Sequence, residues 1–346
     1  MQSTKPKMEY RYLGKTGLKV SVISYGFMTI GDQNLMTQLV KTAWESGVNF
    51  FDNAEFYLQG TVETLFGNTI KELKIPREDL VISTKIFWGG QGVNRVGLSR
   101  KHIIEGAFAS LKRLQLDYVD IIYCHRPDFE TPLEETCRAF DWLIRKGKAH
   151  YWGTSEWPAK RILEAIGICE RLGLHKPVVE QCAYSLLERD KMENDYIELL
   201  DQHGLGTTVF SPLARGILAG RYNKEIPADS RYAKISNSKF RFIMDKWLAP
   251  ENIEETRTKC LQLEEIAKEI GCTLPQLALA WVIKNKDVST AIMGGSKVEQ
   301  VEQNLQAINF VEKITPEIEE RLEKIVESKP HPGTDFKTWS DRKSRR

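Results

Sequence analysis

Seven apolar runs along the chain each end in a polar or glycine-containing cluster: NFFDNAEFY (49–57), LVISTK (80–85), VDIIYCHRP (119–127), HYWGTSEW (150–157), VVEQCAY (178–184), TTVFSPLA (207–214) and STAIMGGS (289–296). Their length and their β-branched and aromatic content predict buried strands. Between them lie segments of helical period, at 36–46, 62–73, 101–114, 133–146, 159–172, 191–202 and 297–307. Strand and helix therefore alternate along most of the chain, a pattern that builds a parallel sheet. Residues 20–25 supply one more strand at the start, and the count predicts a (β/α)8 barrel, the TIM-barrel architecture. The turn signal GKTG, flanked by apolar residues at 10–13 and 18–25, predicts an N-terminal hairpin that caps one end of the barrel.

Helix boundaries are marked by capping chemistry. Ser99 precedes one helix, Thr131-Pro132 opens another with Glu134 and Glu135 in its first turn, and Gly147 and Gly173 close two more. The stretch 215–288 is too long for one loop and one helix. It holds the basic, aromatic segment RYNKEIPADSRYAK and two helical patterns near 253–270 and 274–285, and reads as a long insertion before the eighth strand, of the kind that forms lids or binding loops. With 346 residues and 41% apolar content the chain can bury one large core. A single domain is expected, with its core at about 9–325 and a C-terminal tail at 326–346.

Charge narrows the partners. A formal net charge of +2 from 49 basic and 47 acidic side chains, well mixed, argues against a nucleic-acid groove. The six cysteines form no CxxC pair and fall within strand or helix patterns, so they read as reduced and structural, and no His or Cys spacing suggests a metal. The first twenty residues contain no apolar signal core and no stretch is long and apolar enough to span a bilayer, so a cytoplasmic protein is expected. The basic end DRKSRR reads as a solvated tail.

The chemistry sits where a barrel concentrates it, at the C-terminal ends of the strands. Asp52, Tyr57, Lys85 and His125 all fall there, after the second, third and fourth strands. Alone, each has a plainer reading: a turn residue for Asp52, packing for Tyr57, a snorkelling rim lysine for Lys85 and a satisfied core histidine for His125. Together they form a proton-donating set. A lysine ammonium lowers the pKa of a nearby phenol, an aspartate keeps that lysine charged, and a histidine adds a donor. Such a set suits protonation of a carbonyl oxygen while hydride reaches the carbon, and hydride requires a nicotinamide because no side chain supplies it.

The motifs FFDNAEFY, STKIFWGG, YWGTSEW, VVEQCAYS, FSPLARGILAGRY, CTLPQLALAW and GGSKVEQVEQN resemble the aldo-keto reductase superfamily over about 9–325. Within it, GLSRKHIIEGAFASLKRLQLDYVDIIYCHRPD is most similar to the branch of the voltage-gated potassium-channel β subunits. The resemblance implies a catalytic tetrad of Asp52, Tyr57, Lys85 and His125 with Tyr57 as general acid. It also implies NADPH bound in extended form across the rim. Ser155 and Gln181 would hold the carboxamide, Tyr184 would stack on the nicotinamide, and Phe27, Met28, Gln33 and Asp52 would also contact the cofactor. Phe210, Ser211, Pro212, Leu213, Ala214, Gly216, Arg221 and Arg231 would take the pyrophosphate side. Gly294, Ser296, Lys297, Gln300, Gln303 and Asn304 would hold the adenosine end, with Lys297 and the arginines favouring NADPH over NADH. Met28, Phe56, Trp88 and Trp157 would line an aromatic substrate pocket for aldehydes, ketones or quinones.

The sequence departs from that branch in three places. The turn YGFMTIGDQN is shorter and carries Phe27 and Met28, Glu156 stands where an arginine is usual, and His125 replaces the asparagine of the animal channel subunits. The histidine favours a competent reductase. The rival reading is a redox-sensing auxiliary subunit of a potassium channel, assembled as a homotetramer beneath a channel α subunit. Only nine residues precede Tyr10, so no pore-plugging arm is expected. A Rossmann dehydrogenase is disfavoured because the nearest match, Gly90-Gln91-Gly92-Val93-Asn94-Arg95, lacks the third glycine and follows the wrong strand.

Overall fold

Each predicted strand run becomes a short, largely buried strand, as continuous apolar runs require in a parallel sheet. The computed structural model describes residues 7–235 and 241–330; the end DRKSRR and most of the expected tail lie outside them. A two-stranded antiparallel ribbon, β1 (Tyr10–Tyr12) and β2 (Lys19–Ser21), comes first. The barrel follows with β3 (Ile23–Gly26), β4 (Phe50–Asp52), β5 (Val81–Ile86), β6 (Val119–Cys124), β7 (Ala149–Ser155), β8 (Val179–Gln181), β9 (Gly206–Phe210) and β10 (Thr290–Met293). All neighbours are parallel, and β10 closes the ring against β3.

The helices are α1 (Gln33–Glu45), α2 (Thr61–Leu73), α3 (Arg100–Leu114), α4 (Leu133–Arg145), α5 (Ala159–Leu172), α6 (Arg231–Ile235), α7 (Phe242–Leu248), α8 (Ile253–Glu269), α9 (Leu274–Lys284), α10 (Val298–Leu305) and α11 (Pro316–Val326). Ser99 caps α3 by accepting from the His102 amide, and Gly173 ends α5 in the left-handed region. Thr131 does not cap α4, because its hydroxyl donates to Asp128 instead, at 2.7 Å. The segment 191–202 forms two wide π turns, Lys191–Asp195 and Leu199–His203, rather than one α-helix. Its apolar positions Met192, Tyr196 and Leu199 are buried as helical period demands, so periodicity alone could not distinguish the two. Sequence reading also missed α6, α7 and α11. The last carries its own signals, a Thr315 cap, Pro316 at the first turn and buried Ile318, Leu322 and Val326.

The hairpin determines which barrel end stays open. Leu13 and Val20 pack with Phe50, Val81, Ile121, Tyr123 and Val179 into a plug across the ends where the strands begin. Gly14 permits the approach: it lies at φ +54°, and a Cβ there would stand 2.4 Å from the Gly204 carbonyl. Arg11 fixes the ribbon further, donating to the carbonyls of Asn285 at 2.9 Å and Val288 at 2.6 Å. The C-terminal ends of the strands are thereby left for a site. Among the described residues, no single helix is long and apolar enough to cross a membrane.

Candidate active site

Asp52 is the last residue of β4, Lys85 lies near the end of β5, and His125 directly follows β6. Tyr57 opens a 3₁₀ turn whose next three residues, Leu58, Gln59 and Gly60, all have positive φ, a strained path that delivers the phenol to Lys85. The lysine Nζ forms an ion pair with Asp52 Oδ2, donates to the Asn53 carbonyl at 2.8 Å and stands 3.0 Å from Tyr57 Oη. Asp52 Oδ1 accepts from Ser83 Oγ at 2.7 Å and Gln181 Nε2 at 3.1 Å. The His125 ring is 6.1 Å from that of Tyr57 and 4.9 Å from that of Trp88. All four residues therefore converge.

Burial opposes the Lys85 charge, yet Asp52 and then Tyr57 outweigh it and raise the ammonium's pKa. Tyr57 differs from the sequence expectation. Burial, the largest influence, pushes the phenol up, and Lys85 opposes this without bringing it below its ordinary value. Tyr57 is thus held as the protonated acid. Burial, Lys85 and Arg126 together pull His125 well below the ordinary imidazole range, so its ring is neutral. Its Nδ1 has no hydrogen-bond partner among the described residues.

Other expected residues meet at the same rim. Ser155 and Gln181 end β7 and β8, Phe210 ends β9, and Ser211, Pro212, Leu213, Ala214 and Gly216 follow it. In that loop Ser211, Ala214, Arg215 and Gly216 all have positive φ. Gly294, Ser296 and Lys297 connect β10 to α10, which carries Gln300, Gln303 and Asn304. Met28, Phe56 and Trp88 are at least partly exposed, with Phe56 5.3 Å from Trp88.

Five expected side chains face elsewhere. Tyr184 packs its ring 5.2 Å from Trp281 and gives its hydroxyl to Glu193 at 2.6 Å, so it stacks on the barrel's outer helices. Trp157 is fully buried in the core and cannot line an open pocket. Phe27 stacks among Tyr25, Phe51 and Phe66. Gln33 donates to the Leu65 carbonyl at 3.1 Å and Thr69 Oγ1 at 2.9 Å, tying α1 to α2. Arg221 pairs with Asp229 at 2.9 Å in solvent. Glu156, the unusual acid, accepts from the Ala183 amide at 2.8 Å and pairs with Lys191 at 3.2 Å.

Sequence reading overlooked Arg126. It donates to the His125 carbonyl at 2.5 Å and Ser155 Oγ at 3.2 Å, and stands 5.6 Å over the Trp88 ring. Its signal was adjacency to His125.

The rim suits an anionic dinucleotide. Arg231 has no acceptor among the described residues, and burial followed by repulsion from Arg215 depresses its pKa. The buried hydroxyl of Tyr222 near it is likewise unpartnered. A partly buried cation and an orphaned donor together call for an acceptor with negative charge, which a pyrophosphate would provide.

Comparison with known proteins agrees with this geometry. The aldo/keto reductase family model matches residues 22–327. A probable voltage-gated potassium channel subunit beta of Arabidopsis thaliana is 47% identical over 328 residues, 93% of this chain and 98% of that protein. Its Oryza sativa counterpart gives the same figures, 47% over 328 residues with 93% and 98% covered. A putative voltage-gated potassium channel subunit beta of Schizosaccharomyces pombe is 45% identical over 331 residues, covering 93% and 94%.

Proposed function

Because this chain belongs to the aldo/keto reductase family, we propose that it reduces aldehydes and ketones with NADPH, using Tyr57 as general acid. The observation that carries the reading is the buried chain from Asp52 through Lys85 to Tyr57 beside a neutral His125. Ser155 and Gln181 would hold the carboxamide, Arg231 and the 211–216 loop the pyrophosphate, and Lys297 the adenosine end. The bound cofactor supplies hydride to the carbonyl carbon. Tyr57 gives its proton to the carbonyl oxygen, and the Lys85 ammonium stabilises the phenolate left behind. Asp52 keeps Lys85 charged and aimed. A hydrogen bond from the neutral imidazole of His125 steadies the carbonyl without competing for the proton.

The decisive experiment is multiple-turnover NADPH oxidation with a simple aldehyde, run beside NADH. Sustained turnover that prefers NADPH supports the reading; a single turnover or none rejects it.

The names of the similar proteins favour a second role, as a β subunit of a potassium channel, compatible with the first. A homotetramer would match a four-fold channel, closed symmetry being the common form of homo-oligomers. Light scattering near four chains, with pull-down of a channel cytoplasmic domain, would support this role. A clean monomer with full reductase activity would oppose it.

A further inference from the structure

Arg126 is built into the catalytic cleft yet leaves most of its donors unused. One nitrogen, Nη1, makes both of its hydrogen bonds, to the His125 carbonyl and Ser155 Oγ. Those bonds anchor the head to the strand ends that carry the chemistry. Nε and Nη2 meet no acceptor among the described residues, and no carboxylate pairs with the guanidinium there. The strongest acidic influence, Glu156, is already engaged by the Ala183 amide at 2.8 Å and Lys191 at 3.2 Å. The side chain is only partly exposed, so a cation held there without a counter-ion is costly and readily takes an anion.

Topology says which anion. Around the ring the order is β10, β3, β4, β5, β6, which puts the end of β6, with Arg126 just beyond it, across the barrel from β10. The loop after β10 is where the cofactor's adenosine phosphate would sit. The pyrophosphate would already be taken by Arg231 and the 211–216 loop, and an anion at Arg126 is therefore neither that group nor the adenosine phosphate. It lies on the carbonyl side, with the Trp88 indole 4.9 Å from His125 and 5.6 Å from the guanidinium, a flat wall running from the reacting end to the cation.

Resting on the reductase reading, we infer that the preferred substrates are carbonyl compounds that carry a carboxylate. The carboxylate would accept from Nε and Nη2 of Arg126 while the carbonyl oxygen faces Tyr57 and His125. A planar guanidinium held at one nitrogen presents its free edge to two carboxylate oxygens, a bidentate match that an ammonium cannot reproduce. The chemistry is otherwise the family's: hydride to the carbonyl carbon, the Tyr57 proton to its oxygen, and an alcohol bearing the same carboxylate as product.

The test compares the 2-, 3- and 4-carboxybenzaldehydes with benzaldehyde as substrates of the full-length protein with NADPH. The wild type is expected to favour at least one carboxylated isomer by ~10-fold or more in kcat/KM, the effect appearing mainly in KM, as for sites that pair a buried polar group. Arg126→Met should bring that ratio to about one, and Arg126→Lys, which keeps charge but loses the fork, should leave an intermediate ratio. Circular dichroism and NADPH affinity by fluorescence are measured alongside. A wild type indifferent to the carboxylate overturns the inference, as does a ratio unchanged in Arg126→Met or a loss confined to NADPH affinity. If the wild type reduces none of the four aldehydes, the reductase reading itself fails, which separates the two outcomes.

Discussion

Lys85 Nζ lies 3.0 Å from the hydroxyl of Tyr57 while its opposite side is held by Asp52, so one ammonium links the acid to its countercharge. Tyr57→Phe keeps the ring and removes only the proton donor. Carbonyl reduction should fall at least ~100-fold, the scale of lost general-acid help, with the fold and NADPH affinity retained. Wild-type turnover in this variant would reject the assignment. Lys85→Met should slow reduction comparably. It should also shift the alkaline limb of the pH profile upward, because the phenol loses the cation that opposes burial. An unmoved limb would show the two groups to be uncoupled.

The depressed pKa of His125 makes a stability prediction. The unfolded chain binds a proton at this imidazole below about pH 6.5, its ordinary value, whereas the folded chain does not. Folding stability contributed by this group is therefore lost as pH falls below that value, by up to about 1.36 kcal/mol per unit. His125→Asn, which cannot titrate, should lose less stability between pH 7 and pH 5.5 in chemical denaturation. An equal loss in both proteins would mean that the ring protonates within the fold.

Glu180 acts with the opposite sign. It is fully buried between β8 and the outer helices, bonded to Thr154 and 3.3 Å from the Tyr196 hydroxyl, and burial pushes its pKa up to about 8. Folding therefore takes up a proton. Its stabilising share is complete below the ordinary carboxylate range and is lost as pH rises through about 8. Glu180→Gln, neutral throughout, should flatten the decline in stability between pH 5 and pH 8 relative to the wild type. A parallel decline in the variant would count against a protonated acid there.

The barrel and the meeting of these four candidate side chains were legible because strand ends in this architecture share one rim, whatever their separation in sequence. Asp52, Tyr57, Lys85 and His125 converge for that reason. The direction of side chains beyond a strand end was not legible. Gln181, the last residue of β8, turns inward to Asp52 at 3.1 Å, whereas Tyr184 three positions later packs outward on Trp281 of α9. Apolar residues beside a rim serve core and pocket equally well, which is why Phe27 and Trp157 read as ligand contacts and pack as core. The net pKa of Tyr57 also escaped sequence reading, since the desolvation that raises it depends on three-dimensional burial.

Close packing between α2 and α3 gives a prediction independent of chemistry. A Cβ on Gly67 would stand 2.4 Å from the Leu114 carbonyl, a backbone atom at the end of α3 that no rotamer change can move. Gly67→Ala should destabilise the fold by about 1–3 kcal/mol through overpacking, despite alanine's better helix propensity. Denaturation in urea measures it, and a neutral or stabilising outcome would mean that the two helices can separate at little cost.

On the proposed reading, cofactor choice would turn on Lys297, which stands before the first turn of α10 with an exposed ammonium that meets no carboxylate among the described residues. NADPH differs from NADH by a 2′-phosphate on the adenosine ribose. A cation placed there adds a charge-assisted hydrogen bond, of about 1.5–3 kcal/mol, that NADH cannot make. Lys297→Met should therefore weaken NADPH by ~10-fold or more while NADH changes far less. Lys297→Glu should widen the gap by adding repulsion, and raised salt should narrow the wild-type preference because the contact is exposed. Titration by protein fluorescence gives both affinities. Equal losses for the two cofactors would remove Lys297 from the phosphate site and leave Arg231 and the 211–216 loop to account for any NADPH preference.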